Sequence, residues 1–467
     1  MRGIVVVGNG MAGSRLVSEV RARDKKARVT VFGAEERAPY NRVLLSNVLA
    51  GTTRADQVRL HGPSWYADHD VTVHLGTEVV AIDRETRCVI TGDGRRTPYS
   101  VLVLATGSEP VVPAVPGAER AIAFRTMDDC ERILAAAKAS RRAVVIGGGL
   151  LGVEAARGLA GRGLPVTLLH LKGHLMDRQL DHEAGQVLGD TLAGLGVEIM
   201  TGVTVTGITE GKVELTSGHV EADLVVAACG VRPVTTLAHD AGLHVERGIV
   251  VDDEMRTDDP AIFAVGECAQ HDGQVYGLVA PCWEQAAIVA DLITGADARA
   301  RYRGSRLVTR LKAKSVELAA MGETHLTDAD AEIVRFTHRR GGTYRKLVIR
   351  DGRLVGAILV GDPATVGTLT QLFDRGGPLP ADRAGLLFPS LSGAAPVSPS
   401  PVRMPDAAQV CRCNNVTKGQ IRACWEAGAR DVAAVAAATR ATTGCGSCAE
   451  TVGGIVEWLC EQEGASA

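Results

Sequence analysis

Short apolar runs that end in glycine-rich turns recur along this chain and predict an α/β fold. Residues 4–7 (IVVV) precede residues 8–13 (GNGMAG), and residues 143–146 (AVVI) precede residues 147–152 (GGGLLG). Each apolar run has the length of a buried strand, and a helical pattern follows each turn. The sequence therefore predicts two strand–turn–helix units, about 140 residues apart.

Both turns have the chemistry of a dinucleotide site. Glycine permits a tight turn, close approach of the backbone to a pyrophosphate, and packing of the helix on its strand. Free amides at the start of the helix favour the negative charge of the phosphate. The alternative is a glycine-rich turn or a duplicated fold that binds nothing, and the strand–turn–helix context argues against it. Two such units predict two dinucleotides, one able to reduce the other.

Other segments add candidates for the first site. The second strand, 28–32, ends near Glu35, a candidate for the ribose hydroxyls, while Arg42 could contact a phosphate or form a surface salt bridge. Strand 101–104 ends in the turn 105–107 (ATG), where the backbone would pass close to a dinucleotide. A strand at 261–268 ends in glycine and an acid, suited to the ribityl chain of a flavin.

The strand that follows the second glycine turn ends unusually. Residues 165–169 lead to His170, with Lys172 nearby, where an acid would favour NADH by binding the ribose hydroxyls. The residues alone leave NADH and NADPH open. Glu154 falls one turn into the second helix, where it could face the nicotinamide or interact with the helix dipole. A turn at 229–233 would close this nucleotide domain.

Residues 306–389 predict a third, mixed domain. Residues 347–355 form a hairpin pattern with Asp-Gly at the turn, and a helical pattern follows at 366–373. A run of six basic residues without an intervening acid lies between Arg301 and Lys314. A solvated strand face is favoured over a docking patch for this run.

Four cysteines stand in two tight pairs behind a proline-rich linker. Cys411 and Cys413 are followed by thirty-one residues and then by Cys445 and Cys448, on a tail with three helical patterns. Zinc usually takes C-x2-C pairs, disulfides are rare in the cytosol, and four thiolates satisfy a [2Fe–2S] cluster. The pattern favours the cluster over zinc and disulfides. Two more tail cysteines, at 424 and 460, are expected to pack on apolar helical faces.

Taken together, these motifs resemble the two-dinucleotide flavoprotein superfamily, in which FAD is the first dinucleotide and NAD(P)H the second. Residues 8–13, 40–46 and 264–268 are similar to the flavin half of NADH-dependent nitrite reductase large subunits. They are equally similar to the electron-transfer subunits of assimilatory nitrate reductases. Glu267 departs from the aspartate usual in the superfamily but is similar to this branch. The cysteine pattern resembles the bacterioferritin-associated-ferredoxin type of [2Fe–2S] domain.

The resemblance implies an α/β fold with two Rossmann-like, three-layer dinucleotide-binding domains, a small α+β interface domain and a small all-α [2Fe–2S] domain. The expected limits are 1–116 with 243–305 for FAD, 117–242 for NAD(P)H, 306–389 for the interface domain, 390–408 for the linker and 409–467 for the cluster.

The resemblance also implies which residues bind each group. No catalytic acid or base is expected, because hydride transfer depends on positioning. The FAD candidates are Gly8, Gly10, Met11, Ala12, Gly13, Glu35, Arg42, Val79, Ala105, Thr106, Gly107, Gly266 and Glu267. The NAD(P)H candidates are Gly147, Gly149, Leu150, Leu151, Gly152, Glu154, His170 and Gly230. The cluster ligands are Cys411, Cys413, Cys445 and Cys448.

The implied function is electron transfer from NADH, the preferred donor, through FAD and the cluster to a partner. The expected partner is the molybdenum-containing catalytic subunit of assimilatory nitrate reductase. The alternatives are a reductase component for nitrite reductase or for a ferredoxin- or rubredoxin-type acceptor, and a flavoprotein with a non-redox, zinc-held interaction module. The chain has no second cysteine set for a sirohaem-linked cluster, so it is not expected to reduce nitrite or nitrate itself.

Composition and charge argue against some kinds of partner and location. The net charge of −3 and a pI near 6.5 argue against a nucleic-acid partner. No apolar run approaches about 18 residues, so a membrane span is not expected. Cysteines scattered singly through the first 300 residues fit buried thiols in a reducing compartment. The sequence therefore predicts a cytoplasmic protein.

Overall fold

The structure of the 467-residue chain is a computed structural model, which describes residues 3–361, 365–388, 404–443, 446 and 448–466, with side chains to 463. The chain divides into two compact units. The first unit contains residues 1–43, 54–110 and 231–305, and the second contains residues 44–53, 111–230 and 306–467.

The described residues form both strands and helices along the whole chain. The strands are β1 Gly3–Val7, β2 Arg28–Phe32, β3 Val71–His74, β4 Val79–Asp83, β5 Cys88–Thr91, β6 Arg96–Pro98, β7 Val101–Leu104, β8 Ser108–Pro110, β9 Ile122–Ala123, β10 Ala143–Ile146, β11 Val166–His170, β12 Val197–Thr201, β13 Val205–Thr209, β14 Lys212–Leu215, β15 Gly218–Glu221, β16 Leu224–Ala227, β17 Val231–Pro233, β18 Ile249–Val251, β19 Ile262–Ala264, β20 Ala269–His271, β21 Gln274–Val275, β22 Val308–Arg310, β23 Leu318–Gly322, β24 Glu332–His338, β25 Thr343–Arg350, β26 Arg353–Val360, β27 Gln409–Cys411 and β28 Val416–Thr417. The helices are α1 Met11–Arg23, α2 Leu45–Ala50, α3 Trp65–Asp68, α4 Met127–Ala139, α5 Leu150–Ala160, α6 His182–Gly194, α7 Thr236–Asp240, α8 Val279–Thr294, α9 Val366–Arg375, α10 Ala384–Leu387, α11 Lys418–Glu426, α12 Val432–Thr439 and α13 Ala449–Ser466.

A parallel sheet of order β19-β7-β1-β2-β3 forms the centre of the first unit. Four of the five residues of β1 are buried, because the flanking helices α1 and α8 exclude water from a strand of β-branched residues. The chain leaves β1 for β2 on one side and reaches β7 on the other. The carboxyl end of β1 is therefore a topological switch point, where ligands bind in such folds.

The second unit repeats this plan in the sheet β12-β11-β10-β16-β9, which is also parallel. The strand β10 is fully buried and continues into α5, so its carboxyl end is the equivalent switch point. Helix α2 packs on α5, where a Cβ built on Gly158 would lie 3.4 Å from the Ala50 backbone nitrogen. The small residue explains how two helices approach this closely.

A third region of the second unit is an antiparallel sheet, β22-β23-β26-β25-β24, covered by α9. The predicted hairpin is confirmed, with Asp351 and Gly352 both at positive φ in its two-residue turn. Such a turn matches the twist of the flanking strands. The predicted helix is also present and extends to Arg375.

The tail has its own apolar core around Ile421, Val435, Val452 and Ile455. Its three predicted helices are present, and the hairpin β27–β28 adds to them and contains Cys411. Most of the predicted linker, 389–403, lies outside the described residues. None of the helices in the described part is long and apolar enough to cross a membrane.

The boundaries of most central elements agree with the sequence pattern. An exception is the segment 261–268, which was expected to be one strand. Only Ile262–Ala264 is a strand, and Gly266–Cys268 is a 3-10 turn, because Gly266 adopts φ +83°. The finer division into five functional segments remains a prediction.

Candidate functional sites

The first glycine turn is shaped by two close backbone contacts. A Cβ built on Gly8, which has φ +109°, would lie 2.1 Å from the Ala105 carbonyl oxygen. One built on Gly13 would lie 1.9 Å from the Gly8 carbonyl oxygen. By contrast, no atom of the described residues lies within 4 Å of a Cβ built on Gly10. Two glycines therefore allow the turn to pack, and the third leaves room for a ligand.

The start of α1 fits an anionic group. Its cap, Gly10, has no side chain, and its first turn, which begins with Met11 and Ala12, contains no acid. The amides of that turn therefore keep their capacity to bind a phosphate. Asn9 accepts a hydrogen bond from the Tyr66 hydroxyl at 2.7 Å, and its buried Nδ2 has no partner within the described structure.

Three other predicted flavin contacts follow β7 at the same sheet edge, and a fourth lies in another sheet. Thr106 Oγ1 donates to the Val234 carbonyl at 2.7 Å, and Gly107 has φ +71° with open space at its Cβ position among the described atoms. Ala105 is the residue whose carbonyl abuts Gly8. Val79 is buried at the start of β4, in the separate antiparallel sheet β4-β5-β6.

Glu35 and Arg42 pair with each other. Arg42 forms an ion pair with Glu35 Oε1, and the Tyr40 hydroxyl donates to Glu35 Oε2 at 2.7 Å. The Arg42 guanidinium also lies over the Tyr40 ring, 5.2 Å from its centroid. The salt bridge that the sequence left open is present, and the pair fixes the acid beside the second strand. Binding of a cofactor by either residue remains a prediction.

Gly266 and Glu267 are held by polar contacts at the end of β19. The Ser108 hydroxyl donates to Glu267 Oε2 at 2.7 Å, and the Gly266 amide donates to Gln285 Oε1 at 2.8 Å. Gln285 is buried on α8, and its Nε2 has no partner in the part of the chain described. A buried donor without a partner at this edge fits a bound polar group. Sequence reasoning missed Gln285 because nothing in an apolar helix distinguishes it.

The second glycine turn has the same geometry as the first. A Cβ built on Gly147 would lie 2.3 Å from the Ala228 carbonyl oxygen, and one on Gly152 would lie 1.7 Å from the Gly147 carbonyl oxygen. Gly149 and Gly230 both face open space as far as the described atoms extend. Leu150 and Leu151 begin α5, whose first turn also lacks an acid. This turn therefore fits a second phosphate group.

Glu154 is buried and forms an ion pair with the third region. Its Oε1 accepts hydrogen bonds from the Lys312 ammonium at 2.5 Å and from the Lys312 amide at 3.0 Å. The two side chains are only 2% and 9% exposed. The expected solvated face was therefore wrong for Lys312. The signal that could have found this pair is an unpaired acid in an otherwise apolar helix.

His170 turns back on the glycine loop. Its Nδ1 accepts a hydrogen bond from the Gly148 amide at 3.1 Å, and its Nε2 lies 3.0 Å from Asp177 Oδ1. Burial lowers the pKa of His170 below its ordinary value of 6.5, against the opposing effect of the Asp177 carboxylate. The imidazole is therefore neutral near pH 7, with its proton on the nitrogen that faces Asp177.

Three of the four predicted cluster ligands lie in the described tail. Cys411 and Cys448 are buried and Cys413 is partly exposed, whereas Cys445 lies outside the described residues. The Asn414 amide nitrogen lies 3.8 Å from Cys411 Sγ, and the Thr442 amide donates to Cys448 Sγ at 3.3 Å. Amide donors to sulfur stabilise thiolates and tune iron–sulfur clusters, so these surroundings fit the cluster.

The remaining tail cysteines differ from each other. Cys424 Sγ donates to the Ile421 carbonyl, and burial raises the pKa of its thiol, as expected of a packing residue. Cys460 is exposed, so the expectation that it packs on an apolar face was wrong.

Burial disfavours the thiolate form of three cysteines in the nucleotide folds. Burial raises the pKa of Cys130 and of Cys229 to about 11, and it also raises the pKa of Cys268. A nucleophilic thiol needs a lowered pKa. The described surroundings of these three residues therefore do not support thiol redox chemistry.

Three family models match the chain in order. The pyridine nucleotide-disulphide oxidoreductase model matches residues 2–286, and the rubredoxin NAD+ reductase C-terminal domain model matches residues 308–376. The BFD-like [2Fe-2S] binding domain model matches residues 409–458. These matches indicate that the two nucleotide folds bind FAD and NAD(P)H and that the tail binds a [2Fe–2S] cluster.

Relatives with similar sequences span most of the chain. Nitrite reductase [NAD(P)H] of Bacillus subtilis (strain 168) is 38% identical over 97% of this chain, which covers 57% of that protein. The assimilatory nitrate reductase electron transfer subunit of the same organism is 35% identical over 98% of this chain, which covers 60% of it. The nitric oxide reductase FlRd-NAD(+) reductase of Aeromonas hydrophila is 36% identical over 64% of this chain and 76% of its own length.

Solved structures share the fold of about four-fifths of the chain. Putidaredoxin reductase, in its covalent complex with putidaredoxin, is 27% identical with a TM-score of 0.75, covering 84% of this chain and 99% of that one. A ferredoxin reductase from Rhodopseudomonas palustris is 26% identical with a TM-score of 0.74, covering 81% of this chain and 96% of that one.

Proposed function

Because this chain belongs to the pyridine nucleotide-disulphide oxidoreductase family, we propose that it transfers electrons from NADH to a redox partner protein. The proposal depends on one observation. The same chain has two glycine turns with open space for a ligand and a tail in which a backbone amide donates to a cysteine sulfur. When bound, FAD takes a hydride from a nicotinamide and a [2Fe–2S] cluster carries single electrons.

The proposed partner is the molybdenum-containing catalytic subunit of an assimilatory nitrate reductase. The support is the 35% identity to an electron transfer subunit of that system. The chain spans only 57% and 60% of the two Bacillus relatives, so the whole activity of either is not transferred to it. The cysteines scattered singly through the first 300 residues support a cytoplasmic location.

A second candidate is the reductase component of a nitrite reductase, which the 38% identity to nitrite reductase [NAD(P)H] supports. A ferredoxin- or rubredoxin-type acceptor is a third, supported by the match of residues 308–376. A non-redox tail held by zinc predicts that loss of a tail cysteine leaves partner reduction intact.

A spectroscopic experiment tests the electron route. We expect protein purified without oxygen to show flavin bands and a broad iron–sulfur absorbance, both of which bleach on addition of NADH. Cys411→Ser is expected to remove the broad absorbance and keep the flavin bands. Cys460→Ser, which changes an exposed thiol of the same tail, is the matched control and is expected to retain both.

Reconstitution separates the candidate partners. Addition of a catalytic nitrate reductase subunit is expected to give NADH-dependent nitrate reduction that Cys411→Ser abolishes. Reduction of a nitrite reductase in place of the nitrate enzyme would favour the second candidate. Unimpaired partner reduction by Cys411→Ser would instead support the zinc-held module and contradict the proposal.

A further inference from the structure

The residue at the end of β11 packs against the glycine loop and bonds to it. Dinucleotide folds usually have an acid there, which accepts the ribose hydroxyls. Here the position is His170, and its ring packs on the glycine loop. A Cβ built on Gly148 would lie 2.7 Å from His170 Cγ. The imidazole therefore supports the loop and leaves the recognition of the ribose to another group.

The far side of the imidazole holds an acid. Because His170 Nδ1 accepts from the Gly148 amide, the neutral ring has its proton on Nε2 and donates it to Asp177 Oδ1. Among the described residues no hydrogen bond reaches the second carboxylate oxygen of Asp177, and its side chain is 29% exposed. A carboxylate with one oxygen fixed and one accessible can accept hydrogen bonds from a ligand.

The segment 171–180 is hydrogen-bonded to Gly148. The Met176 amide donates to the Gly148 carbonyl at 2.8 Å, so both backbone polar groups of Gly148 bond to this segment or to His170. Met176 is fully buried and adopts φ +51°, an unusual conformation for a residue with a side chain. Such strain persists where the surrounding structure enforces it, often at ligand sites.

The third region holds the other end of this segment. Asp181 caps α6 and accepts hydrogen bonds from the Tyr344 hydroxyl at 2.7 Å and the Lys346 ammonium at 3.1 Å. His325 Nε2 lies 3.1 Å from the Arg178 carbonyl oxygen. The segment that contains Asp177 is therefore bonded to the glycine loop on one side and to the third region on the other. Lys172 and Arg178, the cations of the segment, are exposed.

We propose that Asp177 recognises the ribose 2′-hydroxyl of the nicotinamide dinucleotide and selects NADH over NADPH, with His170 as its positioning residue. This inference rests on the proposed function. The carboxylate accepts a hydrogen bond from the 2′-hydroxyl of NADH, and it repels the 2′-phosphate of NADPH. Strand β11 does not end in an acid, and Asp177, seven residues after His170, takes that role. The His170 imidazole orients its carboxylate.

The test is calorimetric titration of the full-length protein with NAD+ and with NADP+. We expect the wild type to bind NAD+ more tightly, and Asp177→Asn to reduce that preference by about tenfold, as loss of a hydrogen bond to a charged group implies. Asp177→Glu is expected to keep a preference for NAD+. Glu183→Gln removes the same charge six residues further on and is expected to leave the preference unchanged. His170→Leu is expected to reduce the preference while the flavin absorbance stays the same.

Two results would overturn the inference: a wild type that prefers NADP+, or an Asp177→Asn variant whose preference stays within twofold of the wild type. An unchanged preference in His170→Leu would show that this residue only packs, and would remove the positioning role. Failure of the wild type to bind either nucleotide would instead contradict the proposed function, and the inference would fall with it.

Discussion

The two glycine turns share one backbone geometry. They differ in whether the glycine loop or the second strand supplies the larger side chain between them. In the first turn the middle residue is Asn9, and the residue after β2 is Gly33, whose added Cβ would lie 2.9 Å from that of Asn9. In the second turn the middle residue is Gly148, and the residue equivalent to Gly33 is His170, the last of β11. The Gly8 amide donates to the Phe32 carbonyl of β2 and the Gly147 amide to the Leu169 carbonyl of β11, each at 2.8 Å.

Between glycine loop and second strand, each turn has one larger side chain from this pair of positions, Asn9 in the first and His170 in the second, and Leu175 Cδ2 also lies 2.6 Å from a Cβ built on Gly148. Either the loop or the strand supplies the larger side chain, and the choice determines which polar group the site presents. Asn9 leaves a buried amide donor without a partner in the described unit, whereas His170 leaves an oriented carboxylate, Asp177. Similar backbones therefore present different polar groups because one pair of residues is exchanged.

The largest effect is expected from adding a methyl group to the third glycine of each turn. In Gly13→Ala and Gly152→Ala the new Cβ would meet a backbone oxygen at 1.9 Å and 1.7 Å, so the turn must open. We expect Gly13→Ala to lose FAD, measured as flavin absorbance of the purified protein. Gly152→Ala should keep FAD and lose NADH binding, measured by calorimetry. Loss of flavin in both variants would show that the turns are not independent sites.

The second turn also differs in how its helix is anchored. Lys312→Met leaves Glu154 charged and buried, so we expect a loss of about 3 kcal/mol of unfolding free energy. The matched change in the first helix is Arg23→Met. It removes the ion pairs of Arg23 with Glu19 and Asp291, whose side chains are more exposed than those of Glu154 and Lys312. There we expect about 1 kcal/mol or less. Denaturant titration followed by circular dichroism measures both, and equal losses would contradict the distinction.

The exchange of side chains can itself be tested. Gly148→Asn copies the first turn into the second and would place Asn against the His170 ring, at a cost of about 2 kcal/mol. We expect the double variant with His170→Gly to recover part of that loss, since the imidazole is then removed while Leu175 Cδ2, 2.6 Å from a Cβ built on Gly148, remains. Thermal unfolding of the single and double variants gives the measurement. A double variant less stable than the single one would refute the shared-space interpretation.

Sequence patterns were sufficient for the backbone plan and insufficient for its side-chain partners. Apolar runs and glycine spacing locate β1, β10 and the helices after them because burial and turn geometry act locally. The Glu154–Lys312 pair joins residues 158 positions apart, and the packing of His170 on Gly148 depends on how β11 meets the loop. Neither contact leaves a local pattern. The three described tail cysteines are an intermediate case, because their spacing indicates a cluster before any contact is known.

The smallest effect concerns pH, and it applies to the second turn alone. Burial lowers the pKa of His170, so the folded protein disfavours its protonation relative to the unfolded chain, whose value is 6.5. The resulting stability is fully present above that value and is lost as pH falls through the lower folded pKa. We expect the thermal midpoint to fall between about pH 7.5 and about pH 5.5, and to fall less in His170→Gln, which keeps both hydrogen-bonding roles but does not titrate. The first turn has Asn9 in place of a titratable group, so Asn9→Gly should leave the pH dependence unchanged. Equal pH dependence in wild type and His170→Gln would show that protonation of this imidazole does not destabilise the second turn.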